Sequence, residues 1–179
     1  KFFITINYKG LILKAFFKEL EPNYNVKFIE EYEPLGTAGS LRFLDGKFKD
    51  PFFVTNCDII INCDYKDFYN FHLTNKNDIS LIASLKEYKI PYGTCEIDKS
   101  GDLKLIKEKP KFKFFTNTGL YVISPHILKL IPKNKNFDIT QLIKVAKNRK
   151  MKIGVYPIEG DSWLDVGQWA NYQEAILKI

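Results

Sequence analysis

Residues 52–62 read FFVTNCDIIIN. Phe52, Phe53, Val54 and Thr55 make an apolar, β-prone run of strand length, and it reads as a core strand buried on both faces. Asn56, Cys57 and Asp58 interrupt it before apolar residues resume at Ile59. An unpaired carboxylate is expensive at the end of a buried strand. In open α/β sheets, however, ligands gather at the carboxyl ends of strands. A carboxylate there can hold a divalent metal, which offsets its burial. A helix cap or a surface turn accounts for Asp58 equally well when it is taken alone.

Outward from this strand, β-type and helical patterns alternate. FFITIN (2–7) and VKFIEE (26–31) read as strands, with a helix over residues 9–20 that spaces Leu11, Ile12, Ala15, Phe16 and Leu20 at helical period. EPLGTAGSLRFL (33–44) is a Gly-containing loop entering a short helix. Asp64 caps a helix over 65–75 that sets Tyr65, Phe68, Phe71 and His72 on one side. ISLIASL (79–85) is a strand, and the KSGD turn with Gly101 closes a hairpin between YGTCEID and LKLIKEK. A strand over 114–124, a helix from Pro125, a helix capped by Asp138, the strand MKIGVYPI, the extended WLDV and a closing helix over 167–179 complete the chain. Strands alternating with helices predict an α/β fold: a Rossmann-like, three-layer, mixed but mainly parallel sheet with helices on both faces. The 179 residues read as one domain.

Composition narrows the function. With 45% hydrophobic and 27% charged residues the chain is globular. No apolar run approaches the roughly 18 residues of a membrane span, and no basic-then-apolar leader opens the chain. The net charge is +6, but the lysines are spread along the chain, and Glu108 interrupts the densest cluster, residues 104–113. That pattern fits a solvated face or a phosphorylated small substrate better than nucleic acid. Three cysteines (Cys57, Cys63, Cys95) without metal-type spacing point to a reducing, cytoplasmic setting rather than a disulfide framework.

The chemistry-bearing residues lie at strand ends and turns. Gly36-Thr37-Ala38-Gly39 follows a strand and opens a helix, so its glycines admit close approach of backbone to a flat ligand and its amides sit at a positive helix end; an ordinary connecting loop has the same pattern. Asp165 in SWLDVG is a second carboxylate in an apolar setting. Two hard oxygen ligands suit Mg²⁺, which borrows its remaining ligands from water and substrate phosphates. Tyr92-Gly93, Glu108-Lys109-Pro110 and Asn117-Thr118-Gly119 are short polar or glycine elements within strand sequence. Glu108 could accept from sugar hydroxyls, Lys109 could neutralise a phosphate, and Asn117 could bond a hydroxyl; each could also be a turn residue or a surface charge. His72 and His126 lie far from any Cys or Asp cluster and read as helix residues.

In order along the chain, EPLGTAGSL (33–41), FFVTNCDII (52–60), IPYG (90–93), EKP (108–110), NTGLYVIS (117–124) and SWLDVG (162–167) resemble the nucleoside-diphosphate-sugar pyrophosphorylases, the sugar-1-phosphate nucleotidyltransferases. The run EKPKFKFFTNTGLYVISPHILKLIPKN (108–134) resembles most the bacterial guanylyltransferases acting on mannose-1-phosphate or an amino-sugar-1-phosphate. This resemblance implies the nucleotide-diphospho-sugar transferase fold and an EC 2.7.7-type reaction, in which a sugar-1-phosphate attacks the α-phosphate of an NTP, GTP favoured, and releases pyrophosphate. It implies Asp58 and Asp165 as Mg²⁺ ligands and Lys109 as the group meeting the sugar phosphate. Leu35, Gly36, Thr37, Ala38 and Gly39, with Asn56 and Cys57, would meet the nucleotide; Tyr92, Gly93, Glu108, Asn117 and Thr118 would line the sugar. NTP and sugar-1-phosphate are then the partners, without nucleic acid or membrane, and a homo-oligomer stays open.

Two departures from the family pattern matter. The Gly-rich GxGxR loop and the Pro-Lys pair that cradle the triphosphate do not occur in these residues, and residue 2 matches the family's third core strand, which implies roughly 50 residues, about two βα units, ahead of it. The 179 residues alone are therefore expected to lack turnover and, with an open edge at residues 2–7, to be marginally stable. Cys57 stands where the family usually carries a smaller residue, often Gly. A binding-only regulatory homologue and a nucleotide-sugar glycosyltransferase are the competing readings, although the latter normally shows paired Asp where Asn56-Cys57-Asp58 has one.

Overall fold

Phe2–Ile6 (β1) and Val26–Glu30 (β2) run parallel in the computed structural model, which describes residues 1–167 and 172–173. Gly10–Leu20 (α1) makes the crossover between them. Its apolar residues do not face inward as the sequence period predicts. Leu11, Ile12 and Phe16 are exposed, and Phe17 turns in to meet Phe28 of β2 at 5.8 Å. A two-stranded ribbon is too narrow to cover more than one stripe of a helix. Among the described residues β1 and β2 pair as strands only with one another; Phe48 contacts both Phe3 of β1 and Phe52 further along, at 5.4 and 4.3 Å.

A single turn, Gly36–Gly39 (α2), continues as a 3-10 turn over Ser40–Leu44. Phe52–Thr55 (β3) follows, then Ile59–Ile61 (β4), Tyr65–Thr74 (α3), Ile79–Lys89 (β5), Thr94–Ile97 (β6), Leu103–Lys107 (β7) and Lys111–Ile123 (β8). Pro125–Leu130 is a 3-10 turn rather than the predicted helix. Ile139–Asn148 (α4), Ile153–Ile158 (β9) and Trp163–Asp165 (β10) end the described elements. The closing helix predicted over 167–179 lies outside the described residues, apart from Gly167, which is a bend, and Tyr172 and Gln173, which are helical. A four-stranded sheet has the order β3-β8-β5-β9, and β6 with β7 and β4 with β10 form separate antiparallel pairs.

By packing, the chain divides into two compact units. The first comprises Lys1–Val54, His72–Ser80 and Val122–Gly154. Its core gathers Val122, Ile123, Ile127, Leu128, Ile131 and, from α4, Leu142 and Ala146. Helix α4 starts as predicted at Asp138, whose amide donates to Gln141 Oε1 at 2.7 Å. His72, predicted on a helix face, is only 1% exposed. Its Nδ1 meets Ser80 Oγ at 3.0 Å and its Nε2 meets Ser124 Oγ at 3.1 Å. Ser124 Oγ in turn donates to the Asn77 carbonyl at 3.2 Å, and Asn77 Nδ2 donates to Ser80 Oγ at 3.0 Å. Because the Ser124 proton goes to that carbonyl, Ser124 accepts from His72 Nε2–H, and in the neutral ring Nδ1 then accepts the Ser80 proton. Burial holds its pKa below the ordinary histidine value against the pull of Asp78.

The second unit comprises Thr55–Phe71, Leu81–Tyr121 and Val155–Ile179. Phe68, Ile82, Ala83, Leu120 and Tyr121 are buried there, and Phe68 and Phe71 meet the Tyr156 ring at 5.5 and 5.4 Å. The β6–β7 hairpin turns as predicted: Gly101 takes φ +90°, and Asp98 Oδ1 accepts from the amides of Ser100 and Asp102. No helix among the described residues is long and apolar enough to cross a membrane.

Candidate functional site

The opening stretch behaves differently from a strand buried on both faces. Phe52–Thr55 alternates half-buried and exposed residues, with Phe53 40% exposed, and Asp58 is exposed to solvent. Asp58 lies three residues beyond the strand in an exposed bend, so the carboxylate escapes the burial cost expected for it. Beyond Asp58 the chain re-enters a strand that the sequence pattern left unassigned. Ile59–Ile61 pairs with Trp163–Asp165 so that Ile59 stands opposite Asp165 and Ile61 opposite Trp163. The Val166 amide donates to the Asp58 carbonyl at 2.9 Å, and the Asn62 amide to the Ser162 carbonyl at 2.9 Å. This short ladder brings together two carboxylates 107 positions apart. A Cβ built on Gly167 would lie 2.7 Å from Asp58 Oδ2 and 3.2 Å from Asp165 Oδ1, so both carboxylates face the same small space beside that glycine. Gly167 belongs to this candidate site and was missed by sequence reasoning; its place at the end of SWLDVG was the available signal.

The pair suits a hard divalent cation. Both groups are carboxylates, and among the described residues Asp165 Oδ1 accepts only the Gly167 amide, at 3.0 Å, and no lysine, arginine or histidine forms an ion pair with either. No group of three or more His, Cys, Asp or Glu side chains gathers among the described residues. Two protein ligands would leave the other positions to water and substrate phosphates, the arrangement Mg²⁺ favours.

Nearby in the same unit, Gly119 takes φ +91° and passes so close to Asn56 that a Cβ would sit 2.8 Å from Asn56 Nδ2; the Asn56 amide donates to the Gly119 carbonyl at 3.0 Å. Asn117 donates to Tyr121 Oη at 2.7 Å and accepts from the Gly119 amide at 3.3 Å. Cys57 is an exposed free thiol between Asn56 and Asp58. Thr118 differs from its sequence-predicted setting: it is 2% exposed, and its hydroxyl donates to the Ile82 carbonyl at 3.0 Å. Alternation along β8 turns it into the core, opposite to the side on which Asn117 stands.

Tyr92, Gly93, Glu108 and Lys109 come together at the open end of the β6–β7 hairpin. Glu108 Oε2 would lie 3.1 Å from a Cβ on Gly93, and Lys109 Nζ reaches Glu108 Oε1 at 4.0 Å. Tyr92 is 74% exposed. Lys109 adopts φ +44°, an uncommon backbone for a residue with a side chain, immediately before Pro110. The Ile90 amide donates to the Pro110 carbonyl at 3.0 Å and closes the hairpin base beneath these side chains.

The loop from Leu35 to Gly39 belongs to the other unit, and its glycines serve the protein's own backbone. Gly36, at φ +74°, leaves room for Asp138 Oδ1 and the Phe137 carbonyl, and Gly39 for the Lys135 carbonyl. The Thr37 amide donates to Asp138 Oδ1 at 3.1 Å and the Ala38 amide to the Phe137 carbonyl at 2.9 Å. Those amides, predicted from sequence to be open to a ligand, are engaged; the predicted closeness of backbone is present, but to residues 135–138. Leu35 remains on a cleft of about 450 Å³ walled by Ile29, Tyr32, Glu33, Phe43 and Asn134.

Comparison with known proteins places this architecture. The family model for nucleotidyl transferases matches residues 1–179. Mannose-1-phosphate guanylyltransferase 1 of Arabidopsis thaliana is 29% identical over 180 residues, covering 94% of the chain and 49% of that relative. Mannose-1-phosphate guanyltransferase 2 of Candida glabrata is 32% identical over 176 residues, with 92% and 48% covered. The chain thus spans about half the length of the curated relatives it matches. The crystal structure of HddC from Yersinia pseudotuberculosis superposes with a TM-score of 0.72 at 25% identity, covering 98% of the chain and 77% of HddC, and a second HddC structure, complexed with GMP-PN, with a TM-score of 0.71 at 24% identity. The α/β architecture is that of the nucleotide-diphospho-sugar transferases. Matched along its whole length, the chain belongs to the nucleotidyl transferase family.

Proposed function

We propose that this chain carries the nucleotidyl-transfer chemistry of a sugar-1-phosphate guanylyltransferase. A phosphate oxygen of the sugar-1-phosphate attacks the α-phosphorus of the NTP, the bond to the β-phosphate oxygen breaks, and NDP-sugar and pyrophosphate leave. The observation that carries this reading is the Asp58–Asp165 pair, two carboxylates without an ion-pair partner among the described residues, facing one space beside Gly167. Mg²⁺ held by them would neutralise charge on the reacting phosphates. The protein's other contributions are positioning and charge. Glu108, set against Gly93, is available to accept from sugar hydroxyls, and Lys109 carries a cation for the sugar phosphate. Asn117 holds its amide toward Tyr121, which leaves its oxygen beside the Gly119 turn.

Support for GTP comes from the names of the relatives and from the GMP-PN complex of HddC. The Leu35 cleft adds a chemical reason. Tyr32, Phe43 and Leu35 offer apolar walls to a base, and Glu33 offers an acceptor to the donor edge of guanine. We read both units as parts of one nucleotidyltransferase domain, with Mg²⁺ as its metal. The free thiols at Cys57 and Cys95, both exposed, favour a cytoplasmic protein.

The test is pyrophosphate release by the full-length protein across a matrix of NTPs and sugar-1-phosphates. GTP with mannose-1-phosphate or a related sugar phosphate is the expected pair, and Asp58→Asn is expected to lower turnover by about 10²–10³-fold. Full metal-dependent activity in Asp58→Asn would overturn the assignment.

A further inference from the structure

Asp165 ends a strand of only three residues, and such a strand does not by itself fix a side chain to the tolerance a metal site needs. The segment leading into it is fastened to three consecutive residues of β5. Ser84 Oγ donates to the Glu159 carbonyl at 3.4 Å. Gly160 passes so close to Leu85 that a Cβ would lie 2.6 Å from the Leu85 carbonyl oxygen. Lys86 Nζ donates to the Gly160 carbonyl at 2.8 Å and stands 5.0 Å over the Trp163 ring. Trp163 and Asp165 are two apart on β10 and share a face of the strand.

Stability alone does not explain this pair. The Trp163 indole N–H is buried without a partner among the described residues, a loss of about 1–3 kcal/mol that Phe or Leu would avoid. Lys86 is half-buried, and holding an ammonium there opposes folding. What the two groups provide together is a fixed point: one cation that grips a carbonyl at the start of the segment and an aromatic face in its middle.

We propose that Lys86 and Trp163 are a positioning pair for the metal-binding carboxylate Asp165. By clamping Gly160 and the indole, Lys86 sets the course of residues 160–165, so that Asp165 arrives beside Asp58 and Gly167. Neither residue touches the reacting atoms. The inference rests on the reading of Asp58 and Asp165 as metal ligands.

The experiment uses the full chain with two readouts: Mn²⁺ binding, followed by electron paramagnetic resonance, and amide hydrogen exchange at Val166, whose N–H bonds the Asp58 carbonyl. Lys86→Met should weaken Mn²⁺ binding about tenfold and speed exchange at Val166, while Leu142 in α4 exchanges as before. Lys86→Arg, which can still donate to the carbonyl and stack on the ring, should restore most of both. Trp163→Phe keeps the aromatic face and removes the unpaired N–H, so it should stay close to the parent; Trp163→Leu should behave like Lys86→Met. Unchanged Val166 exchange in Lys86→Met overturns the proposal, as does an equal rise at Val166 and Leu142, which would mark general loosening. If Asp58→Asn leaves Mn²⁺ binding unaltered, the metal reading fails, and Val166 exchange alone then decides whether the clamp exists.

Discussion

Gly167 stands where a side chain would collide with the Asp58 and Asp165 carboxylates. A methyl group there comes within 2.7 Å of Asp58 Oδ2, the mobile end of a side chain, so the clash can be relieved by moving the carboxylate rather than the backbone. Gly167→Ala is therefore expected to keep the fold, with a melting temperature near that of the parent. In the full-length enzyme, turnover and Mg²⁺ response should fall, by about 10²-fold in rate if the carboxylate moves by an ångström. A melting curve beside a Mg²⁺ titration of activity separates the two effects. At this scale the sequence identified both carboxylates, because a charge set in apolar strand sequence stands out. It did not identify Thr118 as a core residue. The polar triplet Asn117-Thr118-Gly119 looks uniform, and only strand alternation within the packed unit decides that Asn117 looks out and Thr118 looks in.

Elements were legible where local chemistry is strong. Asp138 before an apolar-periodic run marks α4, and Gly101 in KSGD marks the hairpin. Asp138 also does something no capping rule states: its Oδ1 accepts from both the Thr37 amide and the Thr37 hydroxyl, while Thr37 Oγ1 accepts from the Ile139 amide at 2.9 Å. The cap of one element thereby holds the Leu35–Gly39 loop of another. Asp138→Ala is expected to lower stability by about 1–2 kcal/mol, read as a shift in denaturation midpoint, with Asp138→Asn intermediate. The β4–β10 pair was not legible. Each partner is three residues long, too short for a periodicity, and the pairing depends on a partner more than 100 positions away. The helical period of α1 was legible, but its inward stripe was not, because the narrow β1–β2 pair covers Phe17 and leaves Leu11, Ile12 and Phe16 exposed.

For the molecule as a whole, the neutral His72 links the end of α3, the start of β5 and the end of β8 through Ser80 and Ser124, with Asn77 bonded to both serines and Asp78 as the charged neighbour. Burial lowers its folded pKa, so the unfolded chain binds a proton that the folded chain refuses. Its contribution is present in full above the ordinary histidine pKa of 6.5 and is lost as pH falls from there toward the lowered folded value. Stability should decline over that window by at most about 1.4 kcal/mol per pH unit from this one proton. Denaturant midpoints between pH 7.5 and 5.5, at about 25 °C, check this; His72→Gln should be weaker at the upper pH and lack this part of the decline. The sequence by itself determined the α/β class, most of the element order, the six family segments and the two carboxylates proposed as metal ligands, since these follow from local periodicity, turn chemistry and residue types. Tertiary structure alone decided that Asp58 meets Asp165 beside Gly167, that the Thr37 and Ala38 amides bond residues 137–138, and that Lys86 grips the strand carrying Asp165. Each of those facts is a contact between residues distant in the chain, and no local pattern of side chains encodes which distant backbone will arrive.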